Sequence, residues 1–176
     1  IQYFVVAQDG AGNLGSTPWG AVAATSPPIQ NVIGHASLNN YSIVVTPTGT
    51  KTIGPTGDYA TIGAAISAVQ AVGLSGPLIL ELQAGYVSTG EAFPLVFGGL
   101  GTSAANTVTL RPQAGAVGLT ISSAVAASAT VDLNGAQFVT IDGRPGGVGT
   151  TSQLSVANTS TTGMALRFIN EASNNT

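Results

Sequence analysis

Residues 58–87, with the sequence DYATIGAAISAVQAVGLSGPLILELQAGYV, decide the fold. Their first half carries apolar residues at spacings of three and four, which is the period of one helix face: Tyr59, Ile62, Ile66, Val69 and Val72. This spacing predicts a helix over 58–73, with Asp58 as its N-cap and Gly73 at its end. The run PLILEL at 77–82 then predicts a strand.

Short segments with alternating apolar side chains follow and predict further strands. They lie at 107–110, 119–122, 130–133, 138–142, 154–157 and 165–169. Two interleaved series order them: Leu80, Leu110, Leu133 and Val156 in one, and Ile121, Ile141 and Phe168 in the other. Steps of roughly 20–30 residues are typical of a solenoid whose turns each hold two or three short strands. We therefore expect about three stacked turns, each burying its inward side chains on a neighbour.

The segment 58–87 resembles the N-terminal cap of right-handed parallel β-helix proteins, a group that includes pectin esterases and pectate lyases. The shared features are a helix of the pattern TIxxAI (61–66), a short loop, a hydrophobic strand and a Gly-Tyr pair at 85–86. The resemblance implies a mainly β fold, in which 58–176 form a capping helix and the first turns of a right-handed parallel β-helix. An amphipathic helix in that place covers the end of a solenoid, where apolar side chains and strand edges would otherwise face water.

The first 25 residues predict a β-hairpin. The apolar run 3–7 favours a strand, 9–13 are dense in turn formers, and 14–23 return as a second strand. The pattern YxVxAxDxAGN resembles the last hairpin of an immunoglobulin-like or fibronectin-type-III-like domain. Residues 26–57, punctuated by Pro and Gly, are predicted to be a connector with one strand at 42–46.

A second resemblance concerns the C-terminal part. The stretch VTIDGRPGG at 139–147, followed by SNNT at 173–176, is similar to β-helix regions of very large secreted proteins of Bacteroidota. Many of those proteins serve in gliding or adhesion and are exported by the type 9 secretion system. The resemblance implies an extracellular, cell-surface location, with surface glycans or other cell-surface and secretion-system proteins as partners. Because the sequence opens on Ile1 with no secretory leader, we expect it to be a segment of a longer chain.

Composition excludes several functional classes. Apolar residues make up 44% of the 176 residues and charged residues only 6%, the reverse of a disordered chain. Four basic residues are too few for a nucleic-acid-binding stripe. The sequence has no apolar run near the roughly 20 residues of a membrane span. One His and no Cys cannot supply a multi-His or thiolate site, and we predict no cofactor and no metal.

The candidate binding residues are two charged side chains and three hydroxyls. Asp142 and Arg144 flank a glycine, and a planar guanidinium can bind the carboxylate of an acidic sugar or of a partner. The alternative is a turn in which Asp142 bonds its own backbone. Thr109, Thr120 and Thr140 are predicted on outward strand faces, where hydroxyl rows can bind glycans or ordered water, although Thr is also a good strand former.

No residue is predicted to be catalytic. The best carboxylate pair is Asp132 with Asp142, because the pectin esterases that the cap resembles use two Asp on adjacent turns with an Arg nearby. The two residues fall near different series, so they can lie on different sheets. We therefore expect a non-catalytic segment of a cell-surface adhesin, filament or stalk protein. The alternatives are a polysaccharide-active enzyme of the lyase or esterase type, with its active turns further downstream, and a purely structural spacer or secretion cargo segment.

Overall fold

A computed structural model describes residues 45–176 and, among the first 44 residues, three short strands. The chain divides into two compact units, Ile1–Val44 and Val45–Thr176. Most of the secondary structure is strand, the second unit holds parallel sheets, and helix is scarce. The predicted mainly β class is therefore confirmed.

The first unit contains an antiparallel sheet in the order β1-β2-β3. Its strands are β1 Val6–Gln8, β2 Leu14–Ser16 and β3 Gly20–Val22. Strands β1 and β2 pair with Val6 opposite Ser16. The prediction of one return strand over 14–23 is wrong, because two strands occupy that stretch and pair antiparallel, with Leu14 opposite Val22.

The strand predicted at 42–46 is not found where it can be checked. Residues 42–44 lie outside the described residues, and Val45 and Thr46 belong to no strand. The strand of this region is instead β4, Gly49–Ile53. It pairs in parallel with the strand that follows the helix, so it belongs to the sheets of the second unit.

The second unit is built from three parallel sheets. The first sheet has the spatial order β10 (Val139–Ile141), β7 (Val108–Pro112), β5 (Leu78–Leu82), β4. The second sheet pairs β11 (Leu154–Asn158) with β8 (Leu119–Ser123). The third sheet has the order β12 (Met164–Ile169), β9 (Ala129–Asn134), β6 (Leu95–Val96).

The chain visits these sheets in rotation. It passes through β7, β8 and β9, and then through β10, β11 and β12, which pair with them one by one. We call one such rotation a circuit. An earlier circuit runs from β5 to β6, with a 3-10 turn, Ser88–Gly90, lying against β8 of the second sheet.

The predicted pairing of circuits is only partly right. Leu80 does pair with Leu110, as expected. The next partner of Leu110 is Ile141, however, and not Leu133, which belongs to the third sheet. The two complete circuits each have three strands, and a return to the same sheet takes from 29 residues (Gly49 to Leu78) to 36 (Leu95 to Val131). The shorter predicted steps connect strands of different sheets.

Alternation of side chains explains why these segments become strands. In β5 the leucines 78, 80 and 82 are buried, whereas Ile79 and Glu81 point outward. Strand β7 repeats the pattern, so that Leu110 packs inside the stack and Arg111 lies outside. The inward side chains form one apolar core that is shared by all three sheets.

The single α-helix of the second unit is α1, Ile62–Val72. Thr61 is its N-cap and accepts from the Ala64 N–H at 3.0 Å. The predicted cap, Asp58, is wrong: its carboxylate accepts from the Thr52 N–H at 2.8 Å and is engaged with β4 instead. The helix ends at Gly73 as predicted, with a left-handed φ of 76°. One face of α1 is buried in the apolar core, and the helix contacts β6.

Candidate functional site

Asp142 and Arg144 form a bidentate ion pair directly after β10. The Arg144 guanidinium donates twice, from Nε to Asp142 Oδ1 at 2.9 Å and from an Nη atom to Oδ2 at 2.8 Å. The Arg144 N–H also donates to Oδ1 at 2.9 Å, which is the predicted Asp turn. The guanidinium holds the pKa of the Asp142 carboxyl below its usual value. A ligand carboxylate at Arg144 must therefore compete with Asp142 for the same face of the guanidinium.

These two residues continue a row of charges across the first sheet. Glu81 and Arg111 are paired across β5 and β7, and Arg111 donates to Glu81 Oε1 from Nε at 3.0 Å and from an Nη atom at 2.7 Å. Asp142 lies next in the row, because its N–H donates to the Leu110 carbonyl, and the charge of Arg111 also lowers its pKa. The residues on successive strands therefore read acid, base, acid along the stack, and Arg144, two residues after Asp142 in the same circuit, makes the group neutral.

Asp132 lies on another sheet. It belongs to β9 of the third sheet, whereas Asp142 follows β10 of the first, so the structure does not bring the two carboxylates together. The Asp132 side chain is 2% exposed. Its two carboxylate oxygens accept from Nε and from an Nη atom of Arg167, its partner on β12. Arg167 alternates with Leu166 and Phe168 along β12, and its guanidinium is paired with the Asp132 carboxylate.

All four cations of the sequence are bound in the same way. The remaining pair joins Lys51 Nζ to Asp58 Oδ1 at 3.4 Å. Each cation is therefore paired with a carboxylate of the same unit, and two of the four pairs, Arg111 with Glu81 and Arg167 with Asp132, join strands of neighbouring circuits.

The three candidate threonines are divided between two sheets. Thr109 and Thr140 are neighbours on the outer face of the first sheet, and both are half-buried. The row is interrupted on the next strand, where Ile79 pairs with Thr109. Thr120 is exposed on the second sheet, with its hydroxyl 2.9 Å from that of Ser155 on the adjacent circuit. The structure therefore gives two short hydroxyl pairs and does not bring the three residues into one array.

A half-buried carboxylate at the helix was not predicted from the sequence. Glu91 accepts from the Ile62 N–H at 2.6 Å and from the Gly63 N–H at 2.9 Å, so it caps the N-terminus of α1 from a distant part of the chain. The Tyr86 hydroxyl donates to the same carboxylate at 3.0 Å. Burial, and then the negative charge of Glu91, raise the pKa of Tyr86 well above its usual value. The only sequence signal is an acidic residue five positions after the Gly-Tyr pair.

A shallow groove of about 370 Å³ lies between the loops that follow β7 and β10. Val117 and Val148 are strongly exposed at its edge, and the remaining lining is small or polar: Ala114, Gly115, Pro145, Gly149, Thr150, Thr151 and Gln153. No aromatic ring lines this groove, so sugar stacking on a ring has no support here.

Comparisons with models of known protein families, with curated proteins and with solved structures give no match. Within residues 45–176 and the three short strands before them, no helix is long and apolar enough to cross a membrane. The same described residues contain no cluster of three or more carboxylate or imidazole side chains suited to a metal ion.

Proposed function

We propose that this chain is a non-catalytic stalk segment of an extracellular cell-surface protein. In this proposal residues 45–176 are the capped start of a right-handed parallel β-helix, and residues 1–25 are the end of an immunoglobulin-like or fibronectin-type-III-like domain. The rotation of the chain through three parallel sheets, with α1 packed at one end, supports the fold. The resemblance of 139–176 to Bacteroidota surface proteins supports the location and export by the type 9 system.

The observation that carries the stalk role is the direction of the polar contacts. In each sheet a polar pair joins one circuit to the next. Glu81 binds Arg111 in the first sheet, the Thr120 and Ser155 hydroxyls meet in the second, and Asp132 binds Arg167 in the third. Ion pairs and hydroxyl contacts between neighbouring circuits make the circuits harder to separate, as a segment under tension requires.

The same contacts weigh against an adhesive surface and against a polysaccharide-active enzyme. An adhesive surface built on Asp142, Arg144, Thr109, Thr120 and Thr140 would have to open an internal ion pair and work from two separated hydroxyl pairs. A glycoside hydrolase pair needs two carboxylates facing one sugar, whereas Asp132 and Asp142 lie on different sheets, each bound by an arginine.

The test is mechanical unfolding of the chain inserted between immunoglobulin-like reference domains and pulled at its ends. We expect the second unit to unfold in successive steps as circuits detach, at forces no lower than those of the reference domains. The matched variant Arg111→Gln should lower the force of one step, because it removes a contact between β5 and β7. Extension without a force peak would contradict the stalk role.

A second measurement separates the alternatives. The chain is incubated with neutral and acidic polysaccharides, and retained binding and new reducing ends are measured. We expect neither to exceed the level of an Asp142→Ala, Arg144→Ala double variant. Saturable binding that this variant loses would favour an adhesin, and reducing ends that Asp132→Ala abolishes would favour an enzyme.

A further inference from the structure

The last circuit leaves its inward side chains uncovered. Phe168 stacks in register on Leu133, which is 2% exposed, yet Phe168 itself is 57% exposed. Leu166 is 42% exposed although its partner Val131 is fully buried. Together with Ile141, Leu154 and Val156, these residues form what we call the open face. These side chains add one layer to the apolar core, and no described residue covers that layer.

The strand edges at the open face are open as well. Among the described residues, β11 and β12 are the last strands of the second and third sheets, and no further strand pairs with either. A contiguous apolar surface bordered by unpaired strand edges is a site for another β-segment.

The first sheet shows how such a segment is seated. Residues 173–176 already lie beyond β10 in the parallel direction. The Thr176 N–H donates to the Val139 carbonyl at 3.0 Å, and the Thr176 carbonyl accepts from the Ile141 N–H at 2.8 Å. These two bonds place Thr176 opposite Thr140, one circuit further along the stack. Asn175 adds a side-chain bond, with its Oδ1 accepting from the Val139 N–H at 2.9 Å.

We infer that the open face receives one further circuit that is joined through residues 173–176 and runs parallel to β10, β11 and β12. Its inward side chains are apolar at alternate positions, because they must pack on Leu154, Val156, Leu166 and Phe168. A second copy related by a two-fold axis fits less well, since it would present antiparallel strands and meet residues 173–176 first. This inference goes beyond the stalk role and depends only on the stacking of circuits.

The register suggests a direct test. Since Thr176 occupies the position of Thr140, a second copy of residues 141–176 is appended after Thr176 in the full chain. Amide hydrogen exchange of the original β11 and β12 is then compared with that of the unextended chain. We expect exchange to slow by at least tenfold, whereas binding of a hydrophobic dye should not fall, because the appended circuit presents an open face of its own. The extended chain should remain monomeric.

The matched control carries Leu154→Gln, Val156→Gln, Leu166→Gln and Phe168→Gln in the appended copy alone. This extension cannot cover the open face, so exchange of the original β11 and β12 should stay fast. Equal exchange rates in the two extended chains would overturn the inference. So would an unextended chain that dimerises in solution and protects β11 and β12, because a second copy would then be the occupant.

A single substitution guards against an extension that fails to fold. Phe168→Glu in the unextended chain should leave the chain folded and lower dye binding, because more than half of this side chain is exposed. The same substitution in the original part of the extended chain should abolish the gain in protection. If Phe168→Glu unfolds the unextended chain, Phe168 is not on an open face and the inference fails.

Discussion

Asn170 stacks on Gly135 in the turn that leaves the third sheet, and both residues have a left-handed backbone, with φ of 53° and 68°. The Gly135 N–H donates to the Ile169 carbonyl at 2.9 Å, and Asn170 Nδ2 donates to Asn134 Oδ1 at 2.6 Å. Glycine and asparagine are the residues that adopt this conformation most easily. The turn is therefore a repeated device that sends the chain from one circuit into the next.

Substitution of Gly135 tests this device. Gly135→Ala should lower the free energy of unfolding by about 1 kcal/mol or more, because an L side chain is strained at positive φ. Gly90→Ala is the matched control, since Gly90 lacks positive φ and its Cβ would make only an ordinary contact, 3.7 Å from the Thr61 methyl. Chemical denaturation measures both. If the two variants lose equal stability, the turn geometry is not the cause.

The Asp132–Arg167 pair should matter more than the Asp142–Arg144 pair. Arg167→Ala leaves the Asp132 carboxylate, which is 2% exposed, without a cation. Arg144→Ala leaves the Asp142 carboxylate, which is 13% exposed, and water can fill the place of the Arg144 side chain, which is itself 48% exposed. We expect the denaturation midpoint to fall at least twice as far for Arg167→Ala. The double variant Asp132→Asn, Arg167→Gln should recover part of the loss, and its failure to do so would show that the charge is not the reason.

Removal of Glu91 should loosen the capping helix. Glu91→Ala leaves the Ile62 and Gly63 N–H groups and the Tyr86 hydroxyl without their acceptor, so we expect a loss of about 2 kcal/mol in the free energy of unfolding. Glu91→Gln keeps an acceptor oxygen and should lose less. Glu171→Ala removes the same charge from an exposed position and serves as the control. Far-UV circular dichroism with thermal unfolding would detect the effect, and equal losses for Glu91→Ala and Glu171→Ala would refute it.

The sequence predicted local structure better than long-range contacts. The helix face from Ile62 to Val69 and the end at Gly73 follow from side-chain periodicity and backbone preference, which are local properties. Asp58 failed as a cap because its carboxylate accepts from the Thr52 N–H on β4, and the Thr61 hydroxyl accepts from the Ala64 N–H in its place. The bond from Thr52 to Asp58 depends on the position of β4, which was not predicted from the sequence.

The order of circuits could not be predicted for a related reason. An alternating apolar pattern says that a residue points inward, but not which sheet it joins. Leu133 and Ile141 both follow Leu110 at plausible distances, and only backbone pairing selects Ile141. Prediction of the candidate site had the same limit. Asp142 and Arg144 are two residues apart and could be recognised as a pair, whereas Glu81 and Arg111 meet only because β5 and β7 are neighbouring strands.

Acid should weaken the second unit through Asp58 and Asp142. Hydrogen bonds from Thr52 lower the pKa of Asp58, and those from Arg144 lower the pKa of Asp142. A carboxyl with a lower pKa in the folded chain stabilises the fold above the pKa of an unfolded Asp, about 3.9, and this contribution disappears as the pH falls through the folded value. Denaturation midpoints should therefore decline between about pH 5 and pH 2. Asp58→Asn, Asp142→Asn should make that decline shallower, and an unchanged slope would exclude these groups.

Alkali should weaken the fold through Tyr86. Burial and the Glu91 carboxylate raise the pKa of this phenol in the folded chain, so its contribution to stability is complete below the unfolded value of about 10 and is lost as the pH rises above it. Phenolate absorbance should show Tyr86 ionising only together with unfolding. Tyr86→Phe should be less stable at neutral pH, because one donor to Glu91 is gone, and should show a weaker alkaline decline. Tyr59→Phe is the control, and an alkaline decline that Tyr59→Phe reduces as much as Tyr86→Phe would place the sensitive group elsewhere.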